Sequence, residues 1–119
     1  MLRNMLHAKI HRATLSATDL DYAGSMTIPR RLMRRLGILE GEQVLVANLN
    51  TGDRLLTYAI AGDRPRYFCL NGAAARCGCP GDLLIVQVFA LMEEAEARKL
   101  RAKVAVMGAH NRLVRIVRA

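Results

Sequence analysis

Hydrophobic and polar positions alternate along most of this chain, and the alternation predicts short strands separated by turns. In the first such segment, a period of two places Lys9 and His11 on one face of a strand. Two later apolar-rich segments flank the turn residues 50–53, which predicts a hairpin. The predicted strands span residues 6–17, 25–28, 43–49, 54–61, 67–70 and 83–91.

Two short helices interrupt this pattern. Pro29 fits the first turn of a helix over residues 29–36, and Gly37 fits its C-terminal end. Residues 93–100 predict a second helix, because acidic residues come early in it and basic residues late. Residues 111–119 alternate basic and apolar positions, which fits either an edge strand or a frayed tail. Together these elements predict an all-β fold, mainly β with short helices, in a small closed barrel.

Length and composition predict one soluble domain over residues 1–119. No apolar run approaches the roughly 20 residues of a membrane span, and no signal-peptide core precedes the domain, so we expect a cytoplasmic protein without membrane contacts. The three cysteines are an odd count and predict free thiols. Cys77 and Cys79 form a lone C-x-C without a second ligand pair, so no metal site is expected.

The net charge is +8, a balance that proteins binding acidic partners also show. The densest basic cluster lies in the first predicted helix, on the side opposite its apolar residues. We interpret it as a solvated helix face, with attraction of an acidic substrate as the alternative. The cluster consists of Arg30, Arg31, Arg34 and Arg35, opposite Leu32, Met33 and Leu36.

The segment Tyr22-Ala23-Gly24-Ser25 carries the most informative chemistry. If a serine hydroxyl attacks the preceding carbonyl, the peptide bond becomes an ester, and elimination plus hydrolysis then leave a ketone, the pyruvoyl group, at the new chain end. Gly24 suits this reaction because glycine tolerates strained backbone angles and leaves its carbonyl accessible. Most Gly-Ser pairs are ordinary turns, so the surrounding sequence must decide.

The surrounding sequence resembles the pyruvoyl-dependent aspartate 1-decarboxylase family from Met1 to about residue 100. Four blocks in the family's order and spacing carry the resemblance: Met1-Leu-Arg-Asn-Met-Leu-His-Ala-Lys-Ile-His-Arg12, Asp21-Tyr-Ala-Gly-Ser25, Arg54-Leu-Leu-Thr-Tyr-Ala-Ile60 and Asn71-Gly-Ala-Ala-Ala75. The resemblance implies a double-psi β-barrel that assembles as a homotetramer, with each active site near a subunit boundary. It also implies self-cleavage into residues 1–24 and 25–119, and conversion of L-aspartate to β-alanine and CO2 for pantothenate and coenzyme A synthesis.

The resemblance assigns roles to individual residues. Ser25 is the precursor of the covalent pyruvoyl cofactor, which forms a Schiff base with the substrate, Gly24 is the cleavage site, and Tyr58 is the proton donor. Arg54 is the stronger of two candidates for the substrate's side-chain carboxylate, because a guanidinium can hold a carboxylate through two hydrogen bonds. The substrate-binding residues are Lys9, His11, Tyr22, Arg54, Thr57, Asn71, Gly72, Ala73 and Ala74.

Some positions depart from the family's pattern. Ala47 stands where several relatives carry an aromatic residue, which reshapes the pocket wall, and the tail beyond about residue 100 aligns poorly. The sequence leaves open whether a maturation factor is needed, how strictly aspartate is preferred over glutamate, and whether the chain is an uncleaved, inactive relative.

A second resemblance points to a different class of protein. Residues 27–46 are similar to the swapped-hairpin DNA-binding modules of bacterial transition-state regulators and antitoxins, in which the arginines would contact phosphates. Such a regulator has no use for the motifs at residues 22–25, 54–58 and 71–75. We therefore favour the decarboxylase and expect no nucleic-acid partner.

Overall fold

The computed structural model describes all residues, 1–119, and consists mainly of strands. Nine strands are joined by two short α-helices and two short 3-10 helices, so the predicted mainly β fold with short helices is confirmed. The strands are β1 Leu2–Thr14, β2 Ala17–Asp19, β3 Ser25–Pro29, β4 Gln43–Asn48, β5 Arg54–Gly62, β6 Cys69–Asn71, β7 Leu83–Glu93, β8 Lys103–Met107 and β9 Leu113–Arg118. The α-helices are α1 Arg30–Leu36 and α2 Glu94–Lys99, and the 3-10 helices span Gly72–Cys77 and Ala109–Asn111.

The strands form one mixed sheet in the order β2-β6-β3-β5-β4-β7-β1-β8-β9. β3 pairs in parallel with β5 and antiparallel with β6, so it lies between the two strands that carry the later sequence motifs. The long strand β1 has two register shifts against β7, between Leu6 and Ala8 and between His11 and Ala13. Bulges of this kind bend and twist a strand, which is compatible with a barrel; the double-psi topology stays a prediction.

Alternate residues of the central strands build the hydrophobic core. Val44 and Val46 of β4 pair with Val88 and Val86 of β7, and all four are at most 1% exposed. Because side chains alternate across a strand, the intervening residues point to the outer face of the sheet. The apolar side of α1 packs against the same core, and its arginines remain on the other side, as predicted. Neither α-helix has the length or the apolar character of a helix that crosses a membrane.

Local sequence signals set several boundaries. The predicted hairpin is present as β4 and β5, and its turn is fixed by the buried Asn48, whose Oδ1 accepts hydrogen bonds from the backbone N–H groups of Asn50 and Thr51. Helix α1 ends at Gly37, which has a φ of +73°. The C-terminal segment is an edge strand, β9, and its partner β8 is an element that the sequence pattern does not predict.

Candidate active site

Ser25 begins β3 directly after the turn that contains Tyr22 and Gly24. Its side chain is buried, with 1% exposure, whereas Gly24 is exposed. The backbone of Ser25 has a φ of +153°, a value that residues other than glycine rarely adopt and that costs on the order of 1–3 kcal/mol. The Gly24–Ser25 peptide bond therefore joins an exposed residue to a strained, buried one.

The hydroxyl of Ser25 is held in place from the neighbouring strand β6. Asn71 is the register partner of Ser25, and its Nδ2 donates a hydrogen bond of 2.9 Å to Ser25 Oγ. The same Nδ2 donates a second bond of 2.9 Å to Thr27 Oγ1. Because Asn71 is itself buried, this one amide group fixes the position of both hydroxyls.

A chain of hydrogen bonds orients the amide of Asn71 in turn. The thiol of Cys69 donates to Asn71 Oδ1 over 3.2 Å. A hydrogen bond with Cys69 raises the pKa of Tyr67, and burial raises the pKa of the Cys69 thiol. Both groups therefore keep their protons at neutral pH, and a chain of neutral donors runs from Cys69 through Asn71 to Ser25.

No motif marks Thr27, Cys69 or Tyr67 in the sequence. For Cys69, the sequence predicts only a free thiol. The alternation of residues 67, 69 and 71 places these three side chains along one side of an extended segment, and it could have indicated Tyr67 and Cys69 but not Thr27. The pairing of that segment with β3, more than 40 residues earlier, becomes known only from the fold.

Gly72 packs against the backbone of Gly24. Its φ is +62°, and a Cβ atom at this position would lie 2.8 Å from Gly24 Cα, 2.9 Å from Gly24 N and 3.0 Å from the carbonyl oxygen of Tyr22. Only glycine allows this approach. The 3-10 helix that starts at Gly72 leaves Ala73 exposed and Ala74 buried, so of the predicted small residues Gly72 makes the close contact with the Gly24–Ser25 segment.

Strand β5 brings Tyr58 beside the same segment. β3 and β5 are parallel neighbours with Thr27 opposite Ile60, so two residues earlier in each strand Tyr58 is level with Ser25 on the same face of the sheet. Tyr58 is 41% exposed and therefore accessible to a substrate. Thr57 is half-buried on the opposite face, as the alternation of the strand predicts.

Arg54 lies on the same face of β5 as Tyr58 and is exposed. Its Nη1 donates to the carbonyl oxygen of Gly52 over 2.8 Å, which anchors the side chain, and no carboxylate pairs with it. The cross-strand partner of Arg54 is Ala47, whose small side chain leaves the guanidinium uncovered. Arg54 can therefore bind an anion with its remaining N–H groups.

Lys9 and His11 share this outer face of the sheet but lie on a distant strand. The register runs from His11 through Ile85 and Ala47 to Arg54, which crosses three strand spacings. At about 4.8 Å per spacing, β1 and β5 are about 14 Å apart along the sheet. One chain therefore brings Ser25, Asn71, Gly72 and Tyr58 together, whereas Arg54 lies four residues before Tyr58 on β5 and Lys9 and His11 lie on a strand three spacings from β5.

The ring of His11 has an unsatisfied polar atom. Its Nδ1 is buried and has no hydrogen-bond partner. Burial lowers the pKa of His11, and the positive charges of Lys9 and Arg12 lower it further. The neutral ring therefore leaves Nδ1 without a hydrogen-bond partner inside the chain.

Comparison with known proteins identifies the family of the chain. The sequence model of a family described as aspartate decarboxylase matches residues 1–114. The chain belongs to the aspartate decarboxylase family. Proteins named aspartate 1-decarboxylase from Chlorobium chlorochromatii, Lactiplantibacillus plantarum and Clostridium beijerinckii are each 47% identical to it. The alignments cover 93%, 99% and 98% of this chain and 87%, 92% and 94% of those relatives, respectively.

The family match corrects the predicted extent of the likeness, and it argues against the DNA-binding alternative. It reaches residue 114, so the expectation that the likeness fades beyond about residue 100 is wrong. The physical reason is that β8 pairs with β1 inside the sheet, which makes this segment part of the fold. The resemblance to DNA-binding modules covers only residues 27–46, whereas the aspartate decarboxylase family accounts for almost the whole chain.

Proposed function

We propose that this member of the aspartate decarboxylase family converts L-aspartate to β-alanine and CO2 with a pyruvoyl group formed from its own Ser25. The chain would first cleave itself at Gly24–Ser25 into residues 1–24 and 25–119. The observation that carries the proposal is the strained, buried Ser25, whose Oγ is held by Asn71 and whose neighbour Gly24 is contacted by Gly72. The product would serve pantothenate and coenzyme A synthesis. The three free thiols suit the reducing cytoplasm, where we place the reaction.

The residues around Ser25 fit the chemistry of self-cleavage. Ser25 Oγ adds to the carbonyl carbon of Gly24, the C–N bond breaks, and the nitrogen of Ser25 becomes a free amine while an ester joins the two residues. Removal of the α-proton of Ser25 expels the carboxylate of Gly24, and one water molecule then replaces the nitrogen, which leaves as ammonia. Asn71 fixes the attacking oxygen, and breaking the peptide bond releases the backbone strain at Ser25.

The proposed substrate roles follow from charge and position. When present, the pyruvoyl group supplies a carbonyl that accepts the electrons released with CO2. Arg54 binds the side-chain carboxylate of aspartate, since a tight ion pair on the departing carboxylate would stabilise the ground state and slow the reaction. Tyr58 donates the proton that replaces CO2, because a phenol carries its proton at neutral pH and Tyr58 is level with Ser25.

We further propose that the site is completed in a homotetramer. Ser25 lines neither of the cavities of about 580 and 410 Å³, and Lys9 and His11 lie on β1, three strand spacings from β5. The outer face also exposes large apolar side chains, with Leu56 at 65%, Phe89 at 37% and Leu91 at 67%. An apolar surface of this kind is typical of a subunit interface. A neighbouring copy would then supply Lys9 and His11 at the subunit boundary.

Replacing Ser25 tests this function. Ser25→Ala should abolish both self-cleavage and CO2 release from aspartate, whereas Ser16→Ala, at the only other serine of the chain, should leave both intact. Both variants remove one hydroxyl, but only Ser25 follows Gly24. Release of CO2 by Ser25→Ala at the native rate would refute the proposal. Cleavage of the purified chain without any added protein would show that no maturation factor is required.

A further inference from the structure

A strongly basic cavity lies at the opposite end of β3 from Ser25. Its volume is about 580 Å³, and it is formed where α1, the loop after β5 and the segment before β9 converge. Helix α1 contributes all four of its arginines to the lining, the loop contributes Arg64 and Arg66, and the last segment contributes Arg112. The basic cluster of the sequence is therefore one wall of a concave site and not only a solvated helix face.

Most of the positive charge in this cavity is unpaired. Asp63 is the one acidic residue of the lining, and it accepts a hydrogen bond of 2.8 Å from Nε of Arg30. Arg64 lies over the ring of Tyr67, 4.8 Å from its centre, which does not neutralise its charge. No carboxylate pairs with Arg31 or Arg34. Six guanidinium groups thus gather around one space without a counter-charge from the protein, an arrangement that favours a bound anion.

The chemistry of the lining indicates the class of anion. Guanidinium groups bind phosphate oxygens through paired hydrogen bonds, and several of them together suit a ligand with several phosphates. Leu32, Met107 and Leu113 add an apolar part to the lining that can contact the remainder of such a ligand. A volume of about 580 Å³ lies in the range of small-molecule sites. We propose that this arginine cavity binds an organic polyphosphate of the size of a nucleoside triphosphate.

The arginine cavity is separate from the candidate active site. β3 runs from Ser25 to Pro29, which lines the cavity, and a strand of this length covers about 13 Å. None of the residues assigned to substrate binding lines the cavity. The inference is therefore independent of the proposed decarboxylation, and Ser25→Ala should bind the polyphosphate as the native chain does.

Calorimetric titration of the purified protein with ATP and with inorganic tripolyphosphate, without divalent cations, tests the proposal. We expect saturable binding of both probes with one site per chain. The double variant Arg31→Gln/Arg34→Gln should lower the affinity at least about tenfold, because two charge-assisted contacts are lost. The matched control Arg115→Gln/Arg118→Gln removes the same charge from exposed positions of β9 outside the cavity, and it should change the affinity less than about threefold.

Three outcomes would overturn the proposal: no saturable binding of either probe, equal loss of affinity in the two double variants, or binding of duplex DNA alone with no binding of ATP. Arg31 and Arg34 are exposed and have no side-chain partners, so their replacement should leave the fold unchanged. Circular dichroism of both double variants checks this.

Discussion

Asn71 donates a 2.9 Å hydrogen bond to Ser25 Oγ from the strand that pairs directly with the start of β3. The hydroxyl of Ser25 is therefore positioned by a buried amide and not by solvent. The thiol of Cys69 orients that amide. The proposed self-cleavage would therefore depend on groups that lie far from Gly24–Ser25 in the sequence.

Asn71→Ala should slow self-cleavage by roughly tenfold to a hundredfold, because Ser25 Oγ loses a contact worth about 1–3 kcal/mol. Asn48→Ala is the control: Asn48 is equally buried and donates to Cys77 O and Asp82 Oδ2, but away from Ser25. It should destabilise the fold by about 1–3 kcal/mol and still permit cleavage at the native rate. Gel analysis of fragment formation over time separates the two, and equal cleavage rates would argue against a role for Asn71.

Gly72→Ala should impair cleavage and destabilise the chain by about 1–3 kcal/mol, because the new Cβ would overlap Gly24 Cα and the backbone has a positive φ. Gly37→Ala shares the positive φ, but open space surrounds that position. Gly37→Ala should therefore lower the stability of the chain without impairing cleavage. Thermal unfolding together with the fraction cleaved distinguishes the variants, and normal cleavage in Gly72→Ala would show that this contact does not position the scissile segment.

Tyr58→Phe should cleave normally and then release CO2 or form β-alanine about 10²- to 10⁴-fold more slowly, as expected when a general acid is removed. Tyr58 lies level with Ser25 but makes no hydrogen bond to it, so cleavage does not require the phenol. Fragment analysis and product formation are measured on the same sample, which makes cleavage the internal control. A native kcat in Tyr58→Phe would remove Tyr58 from the reaction.

His11 should make the fold less stable in acid. Burial, Lys9 and Arg12 lower its pKa below the ordinary value of 6.5, so the unfolded chain binds more protons than the folded one as the pH falls through about 6.5. The contribution of neutral His11 to stability is present above that pH and is lost below it. Thermal unfolding between pH 7.5 and 5.5 should show a steeper loss for the native chain than for His11→Gln. Identical pH profiles would contradict the prediction.

Alternating hydrophobic and polar residues, together with turn residues, were sufficient to predict much of the fold. The hairpin of β4 and β5 follows from alternation around a polar turn, and α1 is bounded by Pro29 and Gly37. The sequence pattern does not predict β8, because the five residues of this strand follow a helix and carry no turn signal of their own. The strand is stabilised by its pairing with β1 and β9. Strand order and the gathering of distant arginines into one cavity depend on long-range contacts that periodicity does not encode.

The residues of the candidate site also fall into two groups: those that motifs predict and those that only the fold reveals. Although their catalytic roles stay predictions, Ser25, Tyr58 and Asn71 were predicted from motifs, because the proposed chemistry requires those residue types at those positions. Thr27 and Cys69 were not, since their importance arises only when β6 pairs with β3 and both side chains meet the amide of Asn71. The distance of Lys9 from β5 could not be predicted from the sequence either, because it depends on the strand order.

Intact-mass spectrometry of the purified, active protein tests self-cleavage at Ser25. We predict two fragments of 24 and 95 residues, the larger one lighter by one ammonia than a chain that begins with serine. A fully active preparation that contains only the uncleaved chain of 119 residues would contradict the proposed chemistry.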